Sequence, residues 1–145
     1  MIFVTRKLYD GVQIDSGWER RAEREWEKRS AIYGRYYKII VPLLPASMRR
    51  LHEHGLHDAV VESAKQNPGK IELVMNTKGA LTHFRGRRVR LVFFGVHRRN
   101  LQGLVGQWWL CHEVHLCSHA AFSFHVMFTE SDIEIDANDL SIRMK

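Results

Sequence analysis

The sequence predicts an α+β protein: two N-terminal helices packed on a five- to seven-stranded, mainly antiparallel meander sheet. Three observations lead there. Aromatic and apolar residues recur at spacings of three and four through residues 18–40, the period of one helix face. From residue 60 onward the apolar residues recur instead at every second position, the period of a half-buried strand. The alternating segments are joined by short links, which suit antiparallel neighbours.

Taken in order, Ile2-Phe3-Val4 is an apolar start, read as an edge strand or an arm on the core. Ser16-Gly17-Trp18-Glu19 fits a capping box, in which two side chains satisfy backbone donors at a helix start. Trp18, Ala22, Trp26, Tyr33, Tyr36 and Ile40 then mark one stripe of a long helix, interrupted by Arg29. Glu25 and Arg29 form a favourable i,i+4 pair. Pro42 ends the helix, because proline disfavours a helical residue before it. Ser47 to His54 is a second, short helix that buries Met48 and Leu51 and stops at Gly55.

Residues 56–145 read as the sheet. Val60 to Ala64 and Ile71 to Asn76 flank the turn Asn67-Pro68-Gly69-Lys70. A helix over Asp58 to Gln66 competes on propensity, but a Pro-Gly turn followed at once by an alternating segment favours a hairpin. Further strands are expected over Arg87 to His97, Gln107 to Cys117, Phe122 to Phe128 and Ile133 to Asp136, with a last piece at Asp139 to Ile142. Leu110, Val114 and Leu116, with Phe122, Phe124, Val126, Phe128, Ile133 and Ile135, form one apolar face on which the helices are expected to pack. Trp108 belongs beside them. The other face is expected to meet solvent.

The chain has 145 residues, enough for a single domain with a real core. No apolar run approaches the ~20 residues of a membrane-spanning helix, and the first residues lack the pattern of a signal peptide. The cytoplasm is the expected compartment. Cys111 and Cys117 agree: six residues apart on one strand, they are separated by about 20 Å, beyond the reach of a disulfide. The net charge of +6 is uneven. Residues 58–105 hold 9 Lys+Arg against 3 Asp+Glu, and residues 106–145 hold 2 against 6. Such a chain either neutralises itself in the fold or presents a dipolar surface to a charged partner.

The chemistry-bearing residues concentrate in Gln107-Trp108-Trp109-Leu110-Cys111-His112-Glu113-Val114-His115-Leu116-Cys117. His112-Glu113-Val114-His115 invites a metalloprotease reading, but that chemistry needs histidines four apart on one helix face. Here they stand three apart on a strand, on opposite sides. Regular alternation puts Trp109, Glu113 and His115 on the polar face, where His125 of the next strand can join them. Zinc could use His115 and His125 with Glu113 or a cysteine, although cross-strand polar pairing accounts for the same residues more simply. His57-Asp58 is a second acid–base candidate. On a strand these neighbours would point apart, and Asp58 fits better as a residue fixing a strand entrance. Arg85, Arg87, Arg88 and Arg90, followed by His97, Arg98 and Arg99, suit phosphate. They stand in no nucleic-acid-binding motif and serve equally as the solvent side of an amphipathic strand.

Leu56-His57-Asp58-Ala59, the alternating hairpin, Val89-Arg90-Leu91-Val92-Phe93-Phe94-Gly95-Val96 and the Trp108-Trp109-Leu110-x-x-Glu113-Val114-His115-Leu116 strand together resemble a bacterial family of uncharacterised proteins, a domain-of-unknown-function family. Phe3-Val4-Thr5-Arg6-Lys7-Leu8-Tyr9 at the start and Asp132-Ile133-Glu134-Ile135 with Asp139-Leu140 at the end extend the resemblance over nearly the whole chain. It implies a small bacterial intracellular protein and transfers no activity, cofactor or catalytic residue. Similar small α+β proteins serve as immunity partners of bacterial toxins, an analogy of context only.

The expectation from the sequence is therefore a non-enzymatic binding or regulatory protein, with another protein as the favoured partner and no membrane. No catalytic residue, metal or cofactor is assigned. The binding candidates are His57, Asp58, Trp109, Glu113, His115 and His125. An enzyme or metal-binding protein using Glu113, His115 and His125 is the alternative, and nucleic-acid binding through Arg85 to Arg90 is the third reading.

Overall fold

A computed structural model of the chain describes residues 2–13, 19–97 and 101–145. The capping box at Ser16 and the basic residues Arg98 and Arg99 lie outside the described residues. The chain forms two compact units, Met1–Pro42 and Leu43–Lys145.

The first unit holds α1 (Arg6–Gln13) and α2 (Glu19–Ile40). The long aromatic helix was legible from its stripe; α1 was not expected. Leu8, Tyr9 and Val12 give α1 an apolar edge at spacings of three and four. Tyr9 meets Trp26 at a ring separation of 6.0 Å. A side chain on Gly11 would come 3.3 Å from the Ala22 Cβ, so the small residues permit a close helix approach. Phe3 packs on Tyr33 and Tyr36 at 5.6 and 5.7 Å, which makes the apolar start an arm rather than a strand. The Glu25–Arg29 pair forms at 2.6 Å. The helix stops at Ile40 and passes into a 3-10 turn, Val41–Leu43, around Pro42.

The second unit opens with α3 (Ala46–His54). Met48 and Leu51 are fully buried, and Gly55 at φ 63 closes the helix by donating its N–H to the Leu51 carbonyl. Seven strands follow: β1 (Val60–Asn67), β2 (Lys70–Asn76), β3 (Arg88–Phe94), β4 (Trp109–His115), β5 (Phe122–Phe128), β6 (Asp132–Ala137) and β7 (Asp139–Met144). The α+β class and the antiparallel pairing are as expected. The strands divide, however, between two sheets, in the orders β1-β2-β3-β7 and β4-β5-β6.

This division corrects where the apolar faces go. In the larger sheet Ile71, Phe93 and Leu140 stand in register, as do Leu73, Leu91 and Ile142. That face meets the apolar face of the smaller sheet: Phe93 lies 5.9 Å from Phe124 and 6.5 Å from Phe122. Sheet therefore covers sheet where helices were expected, the arrangement of a β-sandwich core. A single flat meander would have left these two apolar faces in need of other cover. The helix α3 sits against β7 and β4. Between β6 and β7 only Asn138 intervenes, so one nearly continuous strand turns a corner from one sheet into the other. Gly95, at φ +61, packs against Asn138 at this corner.

The outer face of the larger sheet carries charge in cross-strand pairs. Arg88 meets Glu62 at 2.6 Å and Arg90 meets Glu72 at 2.7 Å. Hydrogen bonding to Arg90 holds the Glu72 carboxyl below its ordinary range. These two arginines of the Arg85–Arg90 cluster thus form the polar side of an amphipathic strand.

Candidate functional site

The smaller sheet positions the candidate residues through one irregularity. The β4–β5 register runs Trp109↔Phe128, then Cys111↔Met127, so Leu110 is an extra residue on β4. A bulge of this kind shifts every side chain before it to the opposite face. Trp109 therefore joins Phe124 and Phe128, at ring separations of 5.7 and 5.6 Å, and is wholly buried. Its expected place beside Glu113 and His115 is not where it lies. Trp108 and Leu116, expected in the core, are 50% and 45% exposed. Past the bulge the alternation is as expected: His112 and Val114 face the core, and Glu113 and His115 face the other way.

On that other face the polar side chains gather. Glu113 stands opposite His125, which stands opposite Glu134. One row along, His115 stands opposite Ser123, which stands opposite Asp136. Glu113 Oε2 and His115 Nε2 are 2.9 Å apart. The His115 and His125 rings are 4.9 Å apart, and Ser123 Oγ lies 2.9 Å from His125 Nε2. The face was expected to be wet. Instead Glu113, His115, Ser123, His125 and Asp136 are each less than a tenth exposed. Hydrogen bonds within the face offset part of the cost of this burial, since each replaces one to water, while His125 Nδ1 and Asp136 Oδ1 are buried without a hydrogen-bond partner. Burial pushes His125 down to about 4, so its ring is neutral at pH 7.

The other pair behaves differently. His57 Nδ1 lies 3.0 Å from Asp58 Oδ2 although the residues are adjacent. The expectation that they point apart assumed a strand; Asp58 instead takes φ 65, the left-handed region. Asp tolerates that conformation better than most residues. Its backbone N–H donates to the Trp109 carbonyl at 2.8 Å, while its carboxylate is turned to His57. The pair is largely exposed and far less constrained than Glu113–His115.

Two residues outside the sequence-derived set extend the polar face. His119 Nε2 lies 2.9 Å from Asp136 Oδ2, and Cys117 Sγ lies 3.5 Å from both ring nitrogens of His119. A Cys-x-His spacing is a signal in the sequence, but only the β5–β6 register shows that Asp136 belongs with it. Cavities among the described residues lie elsewhere. One of about 550 Å³ lies between α1 and α2, lined in part by Leu8, Arg24 and Lys28. Another of about 420 Å³ is lined by Glu62, Asn76, Lys78, Arg87, Arg88 and Lys145.

The fold and this face define a small α+β protein whose acid–base residues are closed into a hydrogen-bonded sheet face. The chain belongs to the family described as Protein of unknown function (DUF4085), which matches residues 12–137. No curated protein matches the chain. Among the described residues, no helix is long and apolar enough to cross a membrane.

Proposed function

We propose that this is a non-enzymatic binding protein of the bacterial cytoplasm, with another protein as its partner. The observation that carries the reading is the closure of Glu113, His115 and His125, which are 1%, 5% and 8% exposed. General acid–base work requires the side chain to reach a substrate proton directly or through one water. Groups this deeply buried serve better to specify the fold. Trp108 and Val105, 50% and 63% exposed, offer the kind of apolar and aromatic anchors that dominate protein interfaces. The free thiols of Cys111 and Cys117 are compatible with a reducing compartment.

The test compares the wild-type chain with Trp108→Ala as bait in extract from the source cells. The reading expects a specific protein retained in stoichiometric amount by the wild type and lost with the variant. Turnover of a small molecule that disappears in Glu113→Gln, with no protein retained, would overturn it. The convergence of Glu113, His115 and His125 favours that enzymatic alternative as the second reading. Nucleic acid stands third, because Arg88 and Arg90 are already engaged with Glu62 and Glu72.

A further inference from the structure

We propose that Cys117, His119 and Asp136 form a binding site for a zinc-class divalent ion, with His97 as the fourth ligand. One ligand atom from each of the first three lies within 4.8 Å of the others. This set draws on three residue types that ligate zinc, and a mixed sulfur, nitrogen and oxygen set suits a borderline-soft ion. Tetrahedral zinc with bonds of about 2.3 Å to sulfur and about 2.0 Å to nitrogen holds those two ligands about 3.5 Å apart. Sγ of Cys117 is 3.5 Å from the His119 nitrogens. The sulfur is thus within the reach of an ion shared with His119, whose ring, 57% exposed at the side chain, has room to turn one nitrogen toward it.

A second, independent observation comes from Asp136. Its side chain is 3% exposed, and its Oδ1 is buried without a hydrogen-bond partner. A buried carboxylate oxygen left unsatisfied is costly. Ser123, opposite it in the sheet, lies by its hydroxyl against His125 Nε2 instead. A cation beside Asp136 supplies the missing partner. His97 is held close by its backbone, whose N–H donates to the Asp136 carbonyl at 2.9 Å. Its ring stands edge-on to that of His119 at 5.9 Å, and its side chain is exposed, so it can turn toward the ion.

The same three residues do not make an aligned nucleophile and base. A cysteine activated by histidine lies along the lone pair of one nitrogen, whereas this sulfur is equidistant from both. A metal needs the lone pair aimed at the ion between the two side chains rather than at the sulfur, which a turn of the exposed His119 ring provides.

The test is titration of the full-length, chelator-treated protein with cobalt and then zinc. Cobalt reports through thiolate charge-transfer absorption and the d–d bands of a tetrahedral ion, and zinc displaces it. The expected result is one equivalent bound, with the thiolate band present. Cys117→Ser and His119→Ala, both at accessible positions, should each lose more than about 100-fold in affinity, beyond the 10–100-fold cost of removing an outer partner. Cys111→Ser should bind as the wild type does. Absence of stoichiometric binding, or a thiolate band that survives Cys117→Ser, would overturn the site. Unchanged affinity in His97→Ala would overturn the assignment of the fourth ligand. None of these variants touches Glu113 or Trp108, so the outcome is separable from the proposed protein-binding role.

Discussion

Trp109 donates its indole N–H to Nδ1 of His112 across 3.3 Å, three residues along a strand on which strict alternation would set the two on opposite faces. The extra residue at Leu110 brings them together. It carries the largest side chain of the strand into the space between the sheets and gives its polar edge an acceptor there. Burial, with His52 adding to it, pushes His112 down to about 3. The ring is neutral and can accept the bond.

Trp109→Ala should therefore cost about 3–5 kcal/mol, the usual range for emptying a large core site. Trp109→Phe keeps an aromatic ring but removes the donor, and should cost about 1–2 kcal/mol for the lost bond and the small void. Urea unfolding of the three proteins measures both. A Phe variant as stable as the wild type would mean that the indole–imidazole bond contributes nothing.

The fold should weaken in mild acid. Burial lowers His52 and His125 to about 4 and His112 to about 3, whereas in the unfolded chain each titrates near 6.5. The unfolded state binds more protons between those values, so stability is full above about pH 7 and falls as the pH drops from 6.5 toward 4. Each histidine contributes up to about 1.4 kcal/mol per pH unit within that window. Glu25 and Glu72, held below their ordinary range by Arg29 and Arg90, act in the same direction but only below about pH 4.5. Melting temperatures at pH 7.5, 6 and 5 should decline, and His125→Gln should remove about a third of the slope. A flat profile from pH 7.5 to 5 would rule out the neutral, buried state of these rings.

The corner between the sheets offers a backbone test. At Gly95 a Cβ would meet Asn138 Nδ2 at 2.5 Å and its Cβ at 3.0 Å. The conformation, φ +61, itself costs a non-glycine residue roughly 1 kcal/mol. Asn138 cannot move freely, because its Oδ1 accepts from the Ala121 N–H at 3.2 Å. Gly95→Ala should destabilise by about 2 kcal/mol or more, read by thermal unfolding, while Gly34→Ala in α2, where a Cβ meets nothing within 4 Å, should be neutral or stabilising. Equal effects at the two positions would contradict the packing at the corner.

The elements were legible where a local period or a punctuating residue marks them. Period two announced β2 and β5, Asn67-Pro68-Gly69-Lys70 the hairpin between β1 and β2, and Gly55 the end of α3. What escaped depends on relations between distant residues. A bulge adds one residue without a residue type that signals it, so Trp109 was assigned to the wrong face while Glu113 and His115, beyond the bulge, were assigned correctly. Their convergence with His125 followed from hairpin pairing alone. The burial of that face did not, since alternation says which residues share a side and not whether that side is covered. Asp136 and His119 are 17 residues apart, and only the strand register brings them together.

The pairs Glu113–His115 and His57–Asp58 should differ in energy as they differ in burial. Glu113 and His115 are 1% and 7% exposed at the side chain and 2.9 Å apart. His57 and Asp58 are 48% and 34% exposed at 3.0 Å. Distance alone would rank them equal. In water, screening and the cost of fixing two side chains leave an exposed pair with little net worth, whereas removing one member of a buried pair strands the other without compensation. Double-mutant cycles separate the pairwise part from everything else each side chain does. The cycle of Glu113→Gln and His115→Gln should give a coupling of about 1–3 kcal/mol, and that of His57→Gln and Asp58→Asn under about 0.5 kcal/mol. Asp58→Asn keeps a residue that tolerates the left-handed backbone, so its single cost should also be small. Raising the salt should leave the first coupling nearly unchanged and erase the second. If instead the Glu113–His115 coupling proves small and salt-sensitive, the face opens to water in solution, and the enzymatic reading of Glu113, His115 and His125 gains over the binding one.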